Sequence, residues 1–261
     1  MYIIGLILSV LIGVVLGLVG GGGSILTVPL VSIFFGTSMM LATTYSLFIV
    51  TVASGVGVIR NIKTGNIDFR QGLVFVIPSM AVAFIIRKFI MPNFPDNLAI
   101  GNFALSLDTV ISILLILVIL FVAIKSFLSK KTPSSDATPF ITVLLYGILT
   151  GALSGFIGAG GGFIIVPILL RMGLEMKRAV GTSMLIISIQ SFVALIGDSG
   201  NQEILNGINW PLLLILTAMT IGGVLVGTNL QKRFTGKFLR LAFNILLILV
   251  AIGLSVKLFV N

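Results

Sequence analysis

The chain has 261 residues, of which 57% are hydrophobic and 9% are charged, and its formal net charge is +9. A chain this apolar does not stay monomeric in water, and its apolar runs reach the roughly 20 residues that cross a bilayer. Cysteine and histidine are both absent, which excludes disulfides and soft-ligand metal sites and removes the commonest catalytic side chains. We therefore predict an all-α integral membrane protein that is not an enzyme and holds no metal and no cofactor.

About ten apolar runs follow one another along the chain. Five lie in the first half and five in the second: 2–19, 25–35, 39–59, 72–92 and 104–128, then 140–158, 163–172, 179–197, 211–230 and 238–260. A polar segment with Pro and Ser separates the two sets. The pattern predicts a first transmembrane repeat over 1–129, a cytoplasmic linker over 130–139 and a second transmembrane repeat over 140–261.

A glycine-rich segment recurs in the two halves. The sequence GVVLGLVGGGGSILTVP at 13–29 returns as GALSGFIGAGGGFIIVP at 151–167, a constant offset of 138 residues. The six-residue run ILLILV at 113–118 also returns, at 245–250. Lipid offers the backbone no hydrogen-bond partners, so a glycine-rich break at membrane depth is stable only beside protein or a polar cavity. Each break therefore indicates a cavity.

Equivalent loops of the two halves differ in charge. Loop 36–40 has no charge whereas 171–178 is basic, and 60–71 is basic whereas 198–203 is acidic. Because positive charge stays in the cytoplasm, equivalent loops are expected on opposite sides. This topology explains the excess of Lys and Arg without a nucleic-acid partner. The predicted cytoplasmic segments are 60–71, 125–139, 171–178 and 231–237, and of the remaining cations Arg87 and Lys88 are expected to snorkel to the interface.

The first two runs of each half are expected to form a hairpin with a glycine tip. Run 25–35 has about 11 residues, or roughly 16 Å of helix, which is too short to span alone. Hairpins 2–35 and 140–172 would enter from opposite faces, and each would precede three transmembrane helices, giving two inverted-topology repeats as in secondary transporters. Two points stay open. The hairpins could be re-entrant or fully crossing, and Pro29 or Pro167 at a first helical position would leave a segment such as 24–28 extended.

The tips have the chemistry of an anion site. A helix N-terminus presents N–H groups and partial positive charge, and glycine lets the backbone approach a ligand at positive φ. Neutral hydroxyls that follow each hairpin add donors without acidic groups. The predicted substrate contacts are Gly20, Gly21, Gly22, Gly23, Ser24, Thr44, Tyr45, Gly158, Gly160, Gly161, Gly162, Thr182 and Ser183, and the predicted pathway adds Ser54, Gln190 and Asn244.

Two other interpretations compete for these residues. Membrane hydroxyls commonly bond back to their own helix. Glycines four residues apart, namely Gly13 with Gly17 and Gly151 with Gly155, are typical of tight helix packing rather than of ligand binding. No intramembrane acidic or histidine relay is evident, so coupling would use a proton carried by the substrate or a sodium ion held by backbone carbonyls.

At these residues the chain resembles the sulfite exporter TauE/SafE family. The resemblance rests on the twin glycine-rich stretches ending at Pro29 and Pro167, on AVGTS at 179–183 and on segment 222–243. One departure from the family pattern is ATTYS at 42–46, where the second half has GTS. The resemblance implies a multi-pass protein of the cell inner membrane that transports sulfite, sulfoacetate or a related sulfonate.

The leading prediction is a secondary transporter that exports such a small sulfur-containing anion by alternating access around a midplane site. The alternatives are a passive small-anion channel and a membrane scaffold without transport. The expected partners are a small anionic substrate, the lipid bilayer and a coupling ion, either a proton or sodium. The protein would act as a monomer or a homodimer.

Overall fold

The computed structural model describes residues 2–94, 97–100, 103–128, 139–231 and Ile252. In the first half these residues form helices and one short antiparallel hairpin. The elements are α1 (Tyr2–Val19), a 3-10 helix (Gly21–Leu26), α2 (Thr27–Phe35), α3 (Met39–Lys63), α4 (Phe69–Ile85), a π-helix (Ile86–Ile90), β1 (Asn97–Ile100), β2 (Phe103–Ser106) and α5 (Leu107–Leu128). Asn97 pairs with Ser106 and Ile100 with Phe103.

The described second half is helical. It consists of α6 (Phe140–Ile157), α7 (Gly162–Arg171), α8 (Met176–Asp198), α9 (Gln202–Gly207) and α10 (Trp210–Leu230). Among the described residues, six helices are long and apolar enough to cross a membrane: α1, α3, α4 with its π-helical extension, α6, α8 and α10. Apart from Ile252, the predicted last run, 238–260, lies outside the described residues, as does most of the predicted linker.

Polar caps define where the long helices begin. The side chains of Ser38, Asp68 and Asn209 accept backbone N–H bonds at the starts of α3, α4 and α10, from Leu41, Gln71 and Leu212. Such caps satisfy one of the four N–H groups that a helix start leaves unpaired. At the other end of a helix, Gly36 after α2 and Gly158 after α6 have φ of 67° and 70°, as a left-handed cap requires.

Each glycine-rich segment joins a long helix to a short one, α1 to α2 in the first half and α6 to α7 in the second. The first continues from α1 through the 3-10 helix into α2, so 24–28 is helical and the extended alternative is wrong. Pro167 lies inside α7 rather than at its start. A helix of nine or ten residues such as α2 or α7 rises only about 15 Å, half of the roughly 30 Å hydrocarbon core.

Small residues bring helices of the two halves into close contact. A Cβ added at Gly13 of α1 would lie 2.1 Å from the Thr220 carbonyl oxygen of α10, and one at Gly151 of α6 would lie 2.3 Å from the Ser79 carbonyl oxygen of α4. Gly17 and Gly155 pack in the same two interfaces. The prediction that these four glycines serve helix packing is therefore confirmed. The centre of the molecule is formed by α3 and α8, which pack on each other and are the most buried of the six long helices.

Candidate functional site

The two glycine tips meet backbone to backbone. A Cβ added at Gly21 would lie 2.2 Å from the Gly162 Cα, and one at Gly162 would lie 2.0 Å from the Gly21 Cα. No side chain fits between them, because real Cβ atoms do not approach other atoms within 3.0 Å. Four further tip glycines, Gly20, Gly158, Gly160 and Gly161, adopt positive φ, a conformation that glycine takes without a steric penalty.

A serine joins the first tip to the second. The Ser24 hydroxyl is fully buried and lies 2.6 Å from the Gly21 carbonyl oxygen. It also lies within hydrogen-bond distance of the Ala159 carbonyl oxygen in the opposite tip. A hydroxyl carries one proton, so Ser24 donates to one of these carbonyls at a time. The predicted site residue Ser24 therefore holds the tips together in this structure.

The central helices α3 and α8 form the surroundings of both tips. A Cβ on Gly20 would meet the Ser183 Oγ at 2.4 Å, and a Cβ on Gly158 would meet the Thr43 carbonyl oxygen at 2.6 Å. Gly160 lies against Val50 of α3 and against Ile187 and Ser191 of α8. The sequence-predicted tip residues are thus brought together between the most buried helices of the fold.

Four buried polar side chains on α3, α6 and α8, the helices around the second tip, have atoms without hydrogen-bond partners among the described residues. They are the hydroxyls of Ser46, Ser154 and Ser191 and the Oε1 of Gln190, and each residue is 0% exposed. Ser191 faces Gly160, Gln190 donates from Nε2 to the Thr150 carbonyl oxygen at 3.2 Å, and Thr150 faces Gly161. Buried polar atoms are nearly always hydrogen-bonded, so such a cluster calls for a ligand or water.

The predicted hydroxyls after each hairpin bond to the ends of neighbouring helices. Thr44 donates to Asp198 Oδ2 at 2.8 Å, and the Tyr45 hydroxyl accepts from the Asn209 N–H at 2.6 Å. In the second half, Thr182 accepts from the Asp68 N–H at 2.9 Å. The Ser183 hydroxyl donates to the Val180 carbonyl of its own helix at 2.7 Å, as membrane serines often do.

The predicted pathway residues fall in two groups. Ser54 is fully buried on α3, and its hydroxyl has no partner within the described part of the chain. Gln190 belongs to the cluster at the second tip. Asn244 lies outside the described residues. Where the structure is described, it contains no group of three acidic, histidine or cysteine residues that could hold a metal ion.

One buried ion pair was missed by the sequence analysis. Arg87 was expected to snorkel, but its side chain is 0% exposed, and its Nη1 lies 3.1 Å from Asp198 Oδ2. The reason is that Gly197 leaves room for it, since a Cβ there would lie 2.7 Å from the Arg87 Cβ. A cation inside an apolar run was the available signal, because intramembrane charges usually face the protein interior. Lys88 is exposed and lies 5.4 Å from the centre of the Phe84 ring.

A polar cavity of about 220 Å³ lies at the end of the molecule where α3 and α10 finish and α8 begins. Its lining residues include Arg60 and Lys177, with no carboxylate among those described. The other lining residues are Asn61, Thr64, Asn66, Thr228 and Gln231. The two cations and the side-chain amides give this cavity an electrostatic potential that attracts anions.

Comparison with known proteins gives the family of the chain. The family model described as sulfite exporter TauE/SafE matches residues 5–254. The chain belongs to the sulfite exporter TauE/SafE family. As a member of this family with six helices long enough to span a bilayer, it is a multi-pass membrane transporter. The bilayer and a small-molecule substrate are therefore its partners.

Relatives of similar length support the TauE/SafE assignment. A probable membrane transporter protein of Methanocaldococcus jannaschii is 27% identical over 253 residues, covering 93% of this chain and 91% of its own. The probable membrane transporter protein YdhB of Bacillus subtilis is 28% identical over 233 residues, covering 85% of this chain and 89% of its own. No solved structure matches the chain significantly.

Proposed function

We propose that the chain is a secondary transporter that exports a small sulfur-containing anion across the cytoplasmic membrane. Sulfite, sulfoacetate and related sulfonates are the substrates considered. The proposal places the anion at the second tip, Gly158–Gly162, with the first tip, Gly20–Ser24, as the opposite wall. The observation that carries it is the set of buried polar atoms without described partners on α3, α6 and α8, in which Ser191 faces Gly160 and Gln190 bonds to Thr150 beside Gly161.

The chemistry of this cluster suits an oxyanion. Ser46, Ser154 and Ser191 are neutral donors that can bond to anionic oxygens, and α7 directs its N-terminus and partial positive charge toward the tip. Gln190 Oε1 is an acceptor, and a monoprotonated anion such as hydrogensulfite supplies one O–H for it. A proton carried by the substrate would also provide coupling without an acidic relay.

The proposed mechanism is alternating access between two inverted repeats, over 1–129 and 140–261. The packing of the described helices supports it, because α1 of the first half packs on α10 and α6 of the second half packs on α4. The contacts correspond approximately, with offsets that differ by three residues. Gly13 and Gly151 differ by 138 in number, and the residues they touch, Thr220 and Ser79, differ by 141.

The direct test is flux in proteoliposomes made with the purified chain. We expect labelled sulfite to accumulate above its equilibrium level when a proton or sodium gradient is imposed. Transport that only dissipates the sulfite gradient would instead assign a passive channel. Flux equal to that of empty vesicles for sulfite, sulfoacetate, thiosulfate and sulfate would overturn the proposal.

A further inference from the structure

Arg87 occupies an unusual position in the fold. It lies in the π-helical turn Ile86–Ile90 at the end of α4, and this turn packs on α6 and α8. π-helical turns inside α-helices occur frequently at functional sites. The side chain is fully buried, and glycines at the contact, Gly155 beside Ile86 and Gly197 beside Arg87, allow the turn to approach both helices.

One nitrogen of the guanidinium makes all of its described contacts. Arg87 Nη1 lies 3.1 Å from Asp198 Oδ2, 3.4 Å from Asp198 Oδ1 and 3.5 Å from Thr44 Oγ1. Thr44 in turn donates to Asp198 Oδ2 at 2.8 Å. Arg87, Asp198 and Thr44 therefore form one buried network, which holds the guanidinium in place through Nη1 alone.

The other edge of the guanidinium has no partner. Nε and Nη2 of Arg87 are buried and make no hydrogen bond to any described residue. These two nitrogens point their N–H groups in parallel, in the geometry that binds two oxygens of one carboxylate, phosphate or similar oxyanion. Leaving charged donors unpaired in the interior is more unfavourable than leaving neutral ones unpaired. The unpaired edge therefore has the donor geometry that an oxyanion requires.

The network lies close to the proposed substrate site along α3. Thr44 follows Thr43, whose carbonyl oxygen lies 2.6 Å from the position of a Cβ on Gly158. Asp198 ends α8, and the Arg87 turn ends α4, so the network is at the opposite end of the molecule from the cavity with Arg60 and Lys177. An anion leaving the second tip toward this end meets Arg87.

We propose that the Nε and Nη2 edge of Arg87 binds the transported oxyanion, while Asp198 holds Nη1. The inference rests on the proposed function and names a second anion contact on the same pathway. Asp198 orients the guanidinium and also neutralises its charge. The anion therefore binds to an ion pair with no net charge, which allows the anion to be released again. Removal of the Asp198 charge should therefore tighten binding.

The experiment measures sulfite affinity of the purified full chain by calorimetry, and sulfite flux in proteoliposomes. Arg87→Lys keeps the positive charge and removes the fork, and Arg87→Gln with Asp198→Asn removes both charges without leaving either one unpaired. We expect each to weaken sulfite binding roughly 10- to 100-fold, the range for hydrogen bonds to charged groups. Asp198→Asn alone should tighten it. Lys88→Gln is the matched control, because this neighbouring cation is exposed, and it should bind as the wild type does.

The two proposals fail in different ways. Wild-type affinity and flux in Arg87→Lys and in the doubly neutral variant would overturn the role of Arg87 while leaving the transport proposal intact. If the wild type neither binds nor moves any anion of the panel, the transport proposal is wrong and this inference falls with it. Should the doubly neutral variant not fold, Arg87→Lys alone decides.

Discussion

The buried hydroxyls at the second tip give the sharpest test at the level of single residues. Ser46 and Ser191 are 0% exposed and have no partner within the described residues. A buried polar group without a partner destabilises a fold by about 1–3 kcal/mol. We therefore expect Ser46→Ala and Ser191→Ala to unfold at the same or higher temperature than the wild type, yet to bind sulfite several-fold more weakly.

A matched serine separates this effect from the loss of any buried hydroxyl. Ser79 is equally buried, but its hydroxyl donates to the Val76 carbonyl of its own helix at 3.1 Å. Ser79→Ala should leave sulfite affinity unchanged. Thermal unfolding and calorimetry on the three variants measure both quantities. If Ser46→Ala and Ser191→Ala bind sulfite as tightly as Ser79→Ala, the cluster is not the substrate site.

The types of residue in the candidate site could be predicted from the sequence more reliably than the residues that they contact. A run of hydroxyls at 43–46 indicated a polar site, and Ser54 and Gln190 do have buried atoms without partners. Arg87 was assigned to the interface because a long cation can reach water from inside a helix. Its true environment depends on Gly197 and Asp198, which are about 110 residues away in the chain. Partners at that separation are set by tertiary packing, which one sequence does not reveal.

The contact between the two tips gives a test at the level of elements. Gly21 and Gly162 both have ordinary φ, so alanine there is not strained in its own backbone. Its Cβ would instead lie 2.0–2.2 Å from backbone of the opposite tip. We expect Gly162→Ala to lower the unfolding free energy by about 1–3 kcal/mol, the usual range for overpacking, and to reduce sulfite flux to the level of empty vesicles.

The control for this variant is Gly222→Ala. A Cβ at Gly222 would meet nothing within 4 Å, so stability and flux should match those of the wild type. Denaturation of detergent-solubilised protein and proteoliposome flux measure both variants. Wild-type flux in Gly162→Ala would mean that the tips do not need to meet during transport.

The helix interfaces allow a test of whether the halves are equivalent. Gly13 and Gly151 each lie against a carbonyl oxygen in the third long helix of the other half, α10 and α4, at 2.1 Å and 2.3 Å from an added Cβ. Alanine at either position should therefore lower the unfolding temperature by similar amounts, and by more than Gly222→Ala does. A large effect at only one of the two positions, seen in thermal unfolding, would argue against equivalent halves.

The helices themselves follow largely from hydropathy and capping. Runs 39–59 and 179–197 become the longer helices Met39–Lys63 and Met176–Asp198, because polar residues extend each helix beyond its apolar part, at 60–63 after the first run and at 177–178 before the second. The π-helical turn Ile86–Ile90 was not predicted. It has the same residue types as the helix before it, and its geometry depends on packing against α6 and α8.

At the scale of the whole molecule, α3 of the first half and α8 of the second half meet at both of their ends. The C-terminal end of α3 and the N-terminal end of α8 line the same cavity, through Arg60 and Lys177. At the opposite end, the start of α3 contacts the end of α8 through Thr44 and Asp198. Helices α3 and α8 therefore run in opposite directions, which is what the proposed inversion of the two halves requires.

This arrangement predicts a definite pattern of labelling from the two sides of the membrane. The chain has no cysteine, so a single added cysteine reports its own side when intact cells meet a membrane-impermeant maleimide. Asn93→Cys and Gly200→Cys, both exposed, lie at the end with few cations and should react from outside. Lys63→Cys and Arg178→Cys, also exposed, should react only after permeabilisation, since basic loops stay in the cytoplasm.

The labelling pattern distinguishes the orientation of the whole molecule in the membrane from the inversion of one half relative to the other. If all four labels are reversed, the molecule has the opposite orientation in the membrane. The cavity with Arg60 and Lys177 would then open to the outside. Labelling of Lys63→Cys and Arg178→Cys from different sides would instead contradict the inverted repeats, because these positions lie at the end of α3 in one half and near the start of α8 in the other. Alternating access needs the inversion, since two conformations of equal structure but opposite orientation arise when the halves exchange roles.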